Sequence, residues 1–402
     1  MVKVINQTLL TFLVLFAIPS SQIAIDIYLP SLPSMVLSLQ TNSADLQLTF
    51  TFYIIGLGIS QLFYGFLTDR LGRKPIIQFG LLLFILSSIL CVASRDIYLL
   101  FAGRLLQGLG GGAIFVVTNA IWKDVFVGEQ LARRVTYGSL IWSLVPILAP
   151  ALGGFIQQYL GWQMNFYIMM GYAVITLFLL WIWLPETLNK TEVEKICFKK
   201  LIIDYLHILT DIRFLRFVAC VIFSWGAVIA FSIVGPFIFQ NLLRVSASLY
   251  GTLILIVGVA YTVGTFLNGL LLNYYQTLTL LKFGIILMLI SALALLGFAG
   301  LGWFNITTIL LATCLLQIGQ GFIFANCLTS TLMIFPSAAG TVSSLFGCIV
   351  VLGIVVISAL VAYFNVNSQL SLALVYLLLG FLTFIIMLPY FFRFLSSSNA
   401  AN

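Results

Sequence analysis

Apolar stretches of about 20 residues recur along most of the chain, and each is long enough to cross the hydrocarbon core of a membrane. Because backbone polar groups in lipid must be satisfied within the segment, such stretches are expected to be helices. Only 7% of the 402 residues are charged, whereas roughly a quarter are charged in soluble domains. The sequence therefore predicts an all-α protein that crosses a membrane many times.

Twelve spans are predicted, in two sets of six. The first six lie near residues 7–30, 47–68, 76–95, 97–121, 135–159 and 163–185. The second six lie near residues 214–240, 247–272, 279–300, 304–328, 341–364 and 369–392. The intervening residues are richer in charge and predict a linker with an amphipathic helix on the membrane surface. The predicted organisation is an N-terminal six-helix bundle over 1–185, a cytoplasmic linker over 186–213 and a C-terminal six-helix bundle over 214–402.

The positions of the lysines and arginines predict the orientation of these spans. With both termini on the cytoplasmic side, Arg95 and Arg244 fall on the outer side of the membrane and Arg104 falls within a span. The other cations fall on the cytoplasmic side. The chain is therefore expected in the inner membrane with cytoplasmic termini. The net charge of +7 is explained by these short loops, so nucleic acid is not an expected partner.

A short loop between the second and third predicted spans carries the densest charge of the first half. It places three cations, Arg70, Arg73 and Lys74, beside the carboxylate of Asp69. Gly72 permits a tight reversal of the backbone. The bias of positive charge towards the cytoplasm assigns this loop to the inner side of the membrane.

The loop resembles the signature of the major facilitator superfamily, Gly-x-x-x-Asp-Arg-x-Gly-Arg-Lys. The resemblance implies a transporter built from two pseudo-symmetric six-helix bundles, with a substrate site near the midplane between them. It also implies a conformational lock on the cytoplasmic side. The alternative is a generic cytoplasmic loop whose charges have no locking role. The residues of the implied lock are Gly65, Asp69, Arg70, Gly72, Arg73 and Lys74. Residues 269–275 in the second half lack the pattern.

Asp26 is the one carboxylate predicted at depth within the spans. An ionisable group in a membrane is costly unless it is paired or hydrated, so it marks a functional site. Because the membrane interior favours the uncharged acid, Asp26 is a candidate proton carrier. The alternative is a helix cap near the outer surface, since Pro30 and Pro33 follow. The stretch from Asp26 to Pro33 resembles the first span of the bicyclomycin and chloramphenicol resistance subfamily of drug:proton antiporters.

Arg104 is the one cation predicted inside a span and away from its ends, and it stays charged at any usable pH. With Gln107 and the glycines that follow, it resembles the fourth-span motif of the superfamily, whose arginine faces the cavity and contacts the first span. The resemblance implies that Arg104 tunes proton uptake and release at Asp26. The alternative is an arginine that extends to the outer headgroups.

The fifth span contains two prolines, which bend a helix, followed by two glycines, which allow close packing. Pro146, Pro150, Gly153 and Gly154 resemble the antiporter motif of the same subfamily. The resemblance implies a kink that seals the centre against proton leak, and a packing kink without that role is the alternative.

Aromatic and polar residues within the spans are candidates for lining a pocket for amphipathic compounds. They are Tyr28, Tyr53, Gln61, Gln107, Asn119, Trp142, Trp225, Phe231, Gln240, Tyr261, Asn268, Gln317, Gln320 and Asn326. The second half has no acidic residue after Asp211, so a cationic substrate could pair only with Asp26.

The sequence thus predicts a proton-coupled antiporter, acting as a monomer in the lipid bilayer, that exports a small amphipathic compound. No metal-binding cluster, nucleotide-binding loop or hydrolase triad is visible, so no enzyme, no metal site and no cofactor besides the proton are expected. Two alternatives stay open. One is an exporter of an endogenous metabolite or siderophore, and the other is a sensor or scaffold that retains the fold without transport.

Overall fold

The computed structural model describes residues 6–188, 205–335 and 339–398, and over these ranges the chain is a series of α-helices with no strand. Eleven described helices are long and apolar enough to cross a membrane. A further helix, Ser43–Leu71, qualifies as a twelfth span if its two parts, which bend by 46°, are counted together. The predicted all-α fold class with twelve membrane helices is confirmed.

Two compact units divide the chain. Unit 1 contains Met1–Glu194 together with Val245–Leu255, and unit 2 contains Lys195–Arg244 together with Ile256–Asn402. Residues 189–204 of the predicted linker lie outside the described part of the chain, so its amphipathic helix stays a prediction.

The helices are numbered in chain order. The first eight are α1 Gln7–Ala17, α2 Pro19–Asp26, α3 Leu32–Ser38, α4 Ser43–Leu71, α5 Arg73–Ala93, α6 Ile97–Val125, α7 Gly128–Leu160 and α8 Trp162–Trp183. The others are α9 (residues 205–210), α10 Ile212–Phe237, α11 Ala247–Leu271, α12 Thr277–Gly300, α13 Ile306–Ile334, α14 Ala339–Tyr363 and α15 Gln369–Ser398.

The first span is longer than predicted and is divided into pieces. It covers Gln7–Ser38 as α1, α2 and α3, whereas the sequence prediction ended it near residue 30. Pro19 and Pro33 lie in the first turns of α2 and α3, where a missing N–H costs little. The prolines therefore segment the span without ending it. Asp26 is the last residue of α2 and lies inside the span.

Glycines make the closest helix crossings in both units, in equivalent places. In unit 1, Gly110 of α6 lies against Gly80 of α5. In unit 2, Gly319 of α13 lies against Gly284 of α12. A Cβ atom on any of the four would meet an atom of the facing helix at 3.0 Å or less. Small residues allow such close approach of membrane helices.

The two units repeat the same register along α6 and α13. Both helices have 29 residues, and they begin after the N-caps Asp96 and Asn305. Gly110 and Gly319, at the crossings, are each the fourteenth residue of their helix. Residues of α6 and α13 at equal distances from the cap are therefore structural counterparts.

The α5–α6 crossing predicts a large effect of one added methyl group. In Gly110→Ala, the new Cβ would lie 2.6 Å from the Gly80 carbonyl oxygen and 2.8 Å from the Phe84 backbone nitrogen. Because these backbone atoms cannot rotate away, we expect the free energy of unfolding to fall by about 1–3 kcal/mol. Thermal denaturation of the purified protein in detergent measures it.

Gly171→Ala in α8 is the matched control, because nothing lies within 4 Å of the added Cβ. A stabilisation of up to about 1 kcal/mol is expected there. Equal effects of the two substitutions would contradict the close crossing of α5 and α6.

Candidate functional site

Arg104 on α6 is completely buried and holds four helices together. Its guanidinium donates to the backbone carbonyls of Ala24 at 2.9 Å and Thr49 at 3.5 Å, and to Oε1 of Gln107 at 2.6 Å. Nε2 of Gln107 donates in turn to Oγ of Ser88 at 2.8 Å. Since these partners belong to α2, α4 and α5, Arg104 points into unit 1, in contrast to the alternative in which it extends to the headgroups.

Two tyrosine rings lie against the guanidinium. Cζ of Arg104 is 4.3 Å from the ring centroid of Tyr28 and 4.4 Å from that of Tyr53. At these distances the electron-rich ring faces attract the cation. The Tyr28 hydroxyl lies 3.1 Å from that of Thr49, and the Tyr53 hydroxyl donates to the Ser21 carbonyl at 2.5 Å. Both rings are fully buried at Arg104.

Asp26 lies near this network but makes no ion pair with Arg104. Its side chain is half-buried, and Oδ2 accepts a long hydrogen bond of 3.5 Å from Nε2 of Gln22. Asp26 is two residues beyond Ala24, whose carbonyl binds the guanidinium. The two charged residues are therefore connected through the backbone of α2.

The glycines after Arg104 provide the space that this packing needs. A Cβ on Gly111 would lie 2.6 Å from the Tyr53 hydroxyl, so only glycine lets that hydroxyl reach α2. Gly108 touches the backbone of α4 at Tyr53, and Gly112 touches Ser60 of the same helix. The motif thus sets the distance between α4 and α6.

The loop between α4 and α5 is held by three carboxylates. The Arg73 guanidinium bonds to Asp69 at 2.5 Å and to Asp124 at 2.8 Å. Glu186, which follows α8, accepts the backbone N–H groups of Arg73 at 2.8 Å and Lys74 at 3.2 Å. The first N–H groups of a helix lack partners within it, so Glu186 caps α5.

The capping is reciprocal. Nζ of Lys74 donates to the Trp181 carbonyl in the last turn of α8 at 2.9 Å. Gly72 has a φ of 106°, which favours glycine, and a Cβ at this position would overlap the Glu186 carboxylate. The glycine of the loop is therefore required twice, by its backbone angle and by its neighbour.

Two of the predicted loop residues lie apart from this cluster, and two cluster members were missed. Arg70 lies over the Phe66 ring at 4.1 Å, and a Cβ added to Gly65 would have no neighbour within 4 Å. The predicted topology places Asp124 on the same membrane side as the loop. Glu186 begins the predicted cytoplasmic linker and so lies on that side as well, but nothing in the sequence indicates that either residue contacts the loop.

These geometries agree with the comparison of the sequence with known families. The sequence profile of the Major Facilitator Superfamily matches residues 14–356. The chain belongs to this superfamily. The resemblance seen in the loop is confirmed, and the protein is a multi-pass membrane transporter and not an enzyme.

Several known proteins are similar to this superfamily member over most of its length. It is 27% identical to a bicyclomycin resistance protein homolog of Haemophilus influenzae, over 81% of each chain. It is 26% identical to multidrug resistance protein D of Escherichia coli, over 96% of each chain. Its fold resembles that of the xylose transporter XylE of Escherichia coli with a TM-score of 0.74, at 16% identity over 95% of this chain and 97% of the other.

The prolines predicted to kink the fifth span of the transporter lie inside α7. Pro146 and Pro150 are interior residues of this helix. Gly153 lies against the Ile27 carbonyl in the first span, and Gly154 lies against the backbone at the start of α11. Both glycines thus make backbone contacts, and the sealing role of the kink stays a prediction.

The remaining cavity candidates are spread over both units. Trp142 packs edge-on against Phe115 at 5.1 Å between ring centroids, and the exposed Asn119 donates to the Phe115 carbonyl. Asn326 donates to Asn268 at 2.6 Å. The buried candidates are Phe231 and Gln320, and the half-buried ones are Gln61, Trp225, Gln240, Tyr261 and Gln317.

An apolar pocket of about 410 Å³ lies between the first span and α7 in unit 1. Phe16, Pro19 and Ile23 line one side, and Leu148 and Leu152 line the other. Ile23 is one helical turn before Asp26 on α2. The pocket therefore comes within one helical turn of Asp26 along α2, although Asp26 itself does not line it.

The Arg104 network predicts that charge alone cannot replace the guanidinium. In Arg104→Lys, a single ammonium cannot reach Ala24, Thr49 and Gln107 together, and buried carbonyls lose their donors. We expect the free energy of unfolding to fall by about 2 kcal/mol, the usual contribution of a hydrogen bond to a charged group. Arg95→Lys, at an exposed position, is the control and should change stability by less than about 0.5 kcal/mol.

The Glu186 cap predicts a second stability effect. Glu186→Gln removes the negative charge at the N-terminus of α5 and turns an amide NH₂ towards backbone donors. We expect a loss of about 1–2 kcal/mol in thermal denaturation. Glu129→Gln is the matched control, since Glu129 pairs with Arg133 on an exposed face. A loss no larger than in this control would show that Glu186 does not cap α5.

Proposed function

We propose that this transporter is a proton-coupled antiporter that exports small amphipathic compounds, including drugs, across the inner membrane. It acts as a monomer with cytoplasmic termini. The proton is its coupling ion, and the transporter needs no other cofactor. The names of its relatives, a bicyclomycin resistance protein homolog and a multidrug resistance protein, support drug export.

The position of Asp26 is the observation that carries the proposal. The residue lies inside the first membrane span, and among the described residues no cation pairs with it. A carboxylate in this setting is costly, and binding a proton removes the charge. Because Arg104 is occupied by carbonyls and tyrosine rings, it does not hold Asp26 in the ionised form through an ion pair.

The division of the first span gives the proton a way to act on the rest of unit 1. α2 is a separate helix of eight residues that carries Asp26 at its end. Arg104 holds α2 at the Ala24 carbonyl, and Tyr53 holds it at the Ser21 carbonyl. A change of charge at Asp26 that shifts α2 would therefore move partners on α4 and α6.

The apolar pocket beside α2 supports an amphipathic cargo. Its walls are apolar side chains, and Ile23 places them one turn from Asp26. Apolar pockets with few polar groups are typical binding sites for drug-sized molecules. Binding and release of such a cargo next to Asp26 would couple its movement to the proton.

Asp26→Asn tests the proposal. We expect the variant to insert at wild-type levels and to lose export driven by a pH gradient, because the amide cannot carry a proton. Everted membrane vesicles report proton release when ethidium or chloramphenicol is added. Asp96→Asn is the matched control, since asparagine also caps a helix and should preserve transport.

Full pH-driven export by Asp26→Asn vesicles would refute proton coupling at this residue. The same vesicles separate a drug exporter from an exporter of an endogenous metabolite, when cell extracts replace the drugs. If neither the drugs nor the cell extracts cause proton movement, the result would favour a sensor or scaffold that retains the fold without transport.

A further inference from the structure

Gln320 in unit 2 breaks the rule that buried polar groups are hydrogen-bonded. Its side chain is 1% exposed, yet among the described residues neither its amide oxygen nor its amide nitrogen has a partner. The indole Nε1 of Trp225 is also buried and without a partner there. Unpaired buried groups destabilise a fold, so their presence requires an explanation such as a missing ligand.

The two unpaired side chains lie at nearly the same depth in the bundle. Phe214 near the start of α10 contacts Phe335 just after α13, which shows that these helices run antiparallel. Trp225 lies eleven residues after Phe214, and Phe324 lies eleven residues before Phe335. The Trp225 and Phe324 rings meet edge to face at 6.3 Å. Gln320 is one helical turn, about 5.4 Å, further along α13.

Aromatic rings cluster around Trp225 and Phe324. Trp225 lies 6.3 Å from the Tyr261 ring of α11, and Phe324 lies 6.3 Å from the Phe346 ring of α14. Four helices of unit 2 therefore contribute rings to one cluster. Such rings bind flat apolar molecules well, and they carry no formal charge.

Unit 1 fills the equivalent place in a different way. Arg104 and Thr313 are each the eighth residue of their helix, and Gly111 and Gln320 are each the fifteenth. In unit 1, Gly111 leaves space for the Tyr53 hydroxyl beside the charged Arg104. In unit 2, the neutral Thr313 takes the place of Arg104. Gln320 takes the place of Gly111, and the hydrogen-bonding groups of its amide are unused among the described residues.

We propose that Gln320 and Trp225 form a binding site for an uncharged, planar compound that presents a hydrogen-bond donor beside an acceptor, such as an aromatic lactam. The Gln320 carbonyl accepts from the compound, and the Gln320 amide and the indole N–H donate to it. The chain has no carboxylate after Asp211 to pair with a cation, and the amide and indole N–H groups are donors, so the polar groups of this site favour an uncharged compound. The inference rests on the proposed function and adds a second cargo site, in unit 2, for the uncharged members of its amphipathic cargo.

The test measures binding to the purified, intact protein with three probes of similar shape. 2-Quinolinone has a donor beside an acceptor, 1-methyl-2-quinolinone has the acceptor alone, and 1-methylquinolinium carries a permanent positive charge. Equilibrium dialysis should give the tightest binding for 2-quinolinone and the weakest for the cation. Gln320→Met and Trp225→Phe, which keep size and apolar surface, should each weaken 2-quinolinone binding about tenfold, close to the effect of one neutral hydrogen bond.

The thermal stability of the same variants distinguishes binding from a structural role. Removing an unpaired buried amide should leave the Tm of Gln320→Met unchanged or raise it. Ser291→Ala is the control, because Oγ of Ser291 donates to the Ala312 carbonyl at 2.6 Å and is used within the fold. That variant should lower the Tm and leave binding of 2-quinolinone unchanged.

Two results would overturn the inference. One is that the wild-type protein does not bind 2-quinolinone or prefers the cation. The other is that Gln320→Met lowers the Tm and leaves binding unchanged, as expected for an amide with a structural partner. Binding of 2-quinolinone to the Asp26→Asn protein separates this inference from the proposed function. Loss of proton coupling in that variant should leave 2-quinolinone binding intact.

Discussion

The buried guanidinium of Arg104 is the constraint on which the structure of unit 1 depends. A permanent charge out of contact with water must be stabilised by its surroundings. Here backbone carbonyls, a glutamine oxygen and two tyrosine rings stabilise it, and no carboxylate pairs with it among the described residues. Because the partners come from different helices, the charge can be buried only when α2, α4, α5 and α6 pack together.

This arrangement also explains why the acid of the first span can remain without an ion pair. A direct pair with Arg104 would favour the ionised form of Asp26. Contact through the Ala24 carbonyl keeps the two groups connected while leaving the carboxylate available to a proton. The two units differ in charge at equivalent positions. Unit 2 has Thr313 where unit 1 has Arg104, so a neutral side chain stands in place of the cation.

Sequence patterns identified the chemical groups better than their partners. Of the loop signature, Asp69, Gly72, Arg73 and Lys74 lie in one cluster, since close spacing brings them together, and the locking role stays a prediction. The signature could not reveal Glu186, because contact across different helices has no local pattern. The predicted end of the first span was wrong for a related reason: a proline looks the same in sequence whether it starts a helical segment or ends a span.

The sequence by itself determined the number of membrane helices, the superfamily and the few charged residues inside the membrane. Each follows from hydropathy or charge within a window of about 20 residues, which no distant contact alters. Only the tertiary structure decided that Tyr28 and Tyr53 enclose Arg104 and that the amide of Gln320 is left unpaired among the described residues. The reason is that hydrogen bonds form between surfaces, and which helix faces meet depends on packing across the whole bundle.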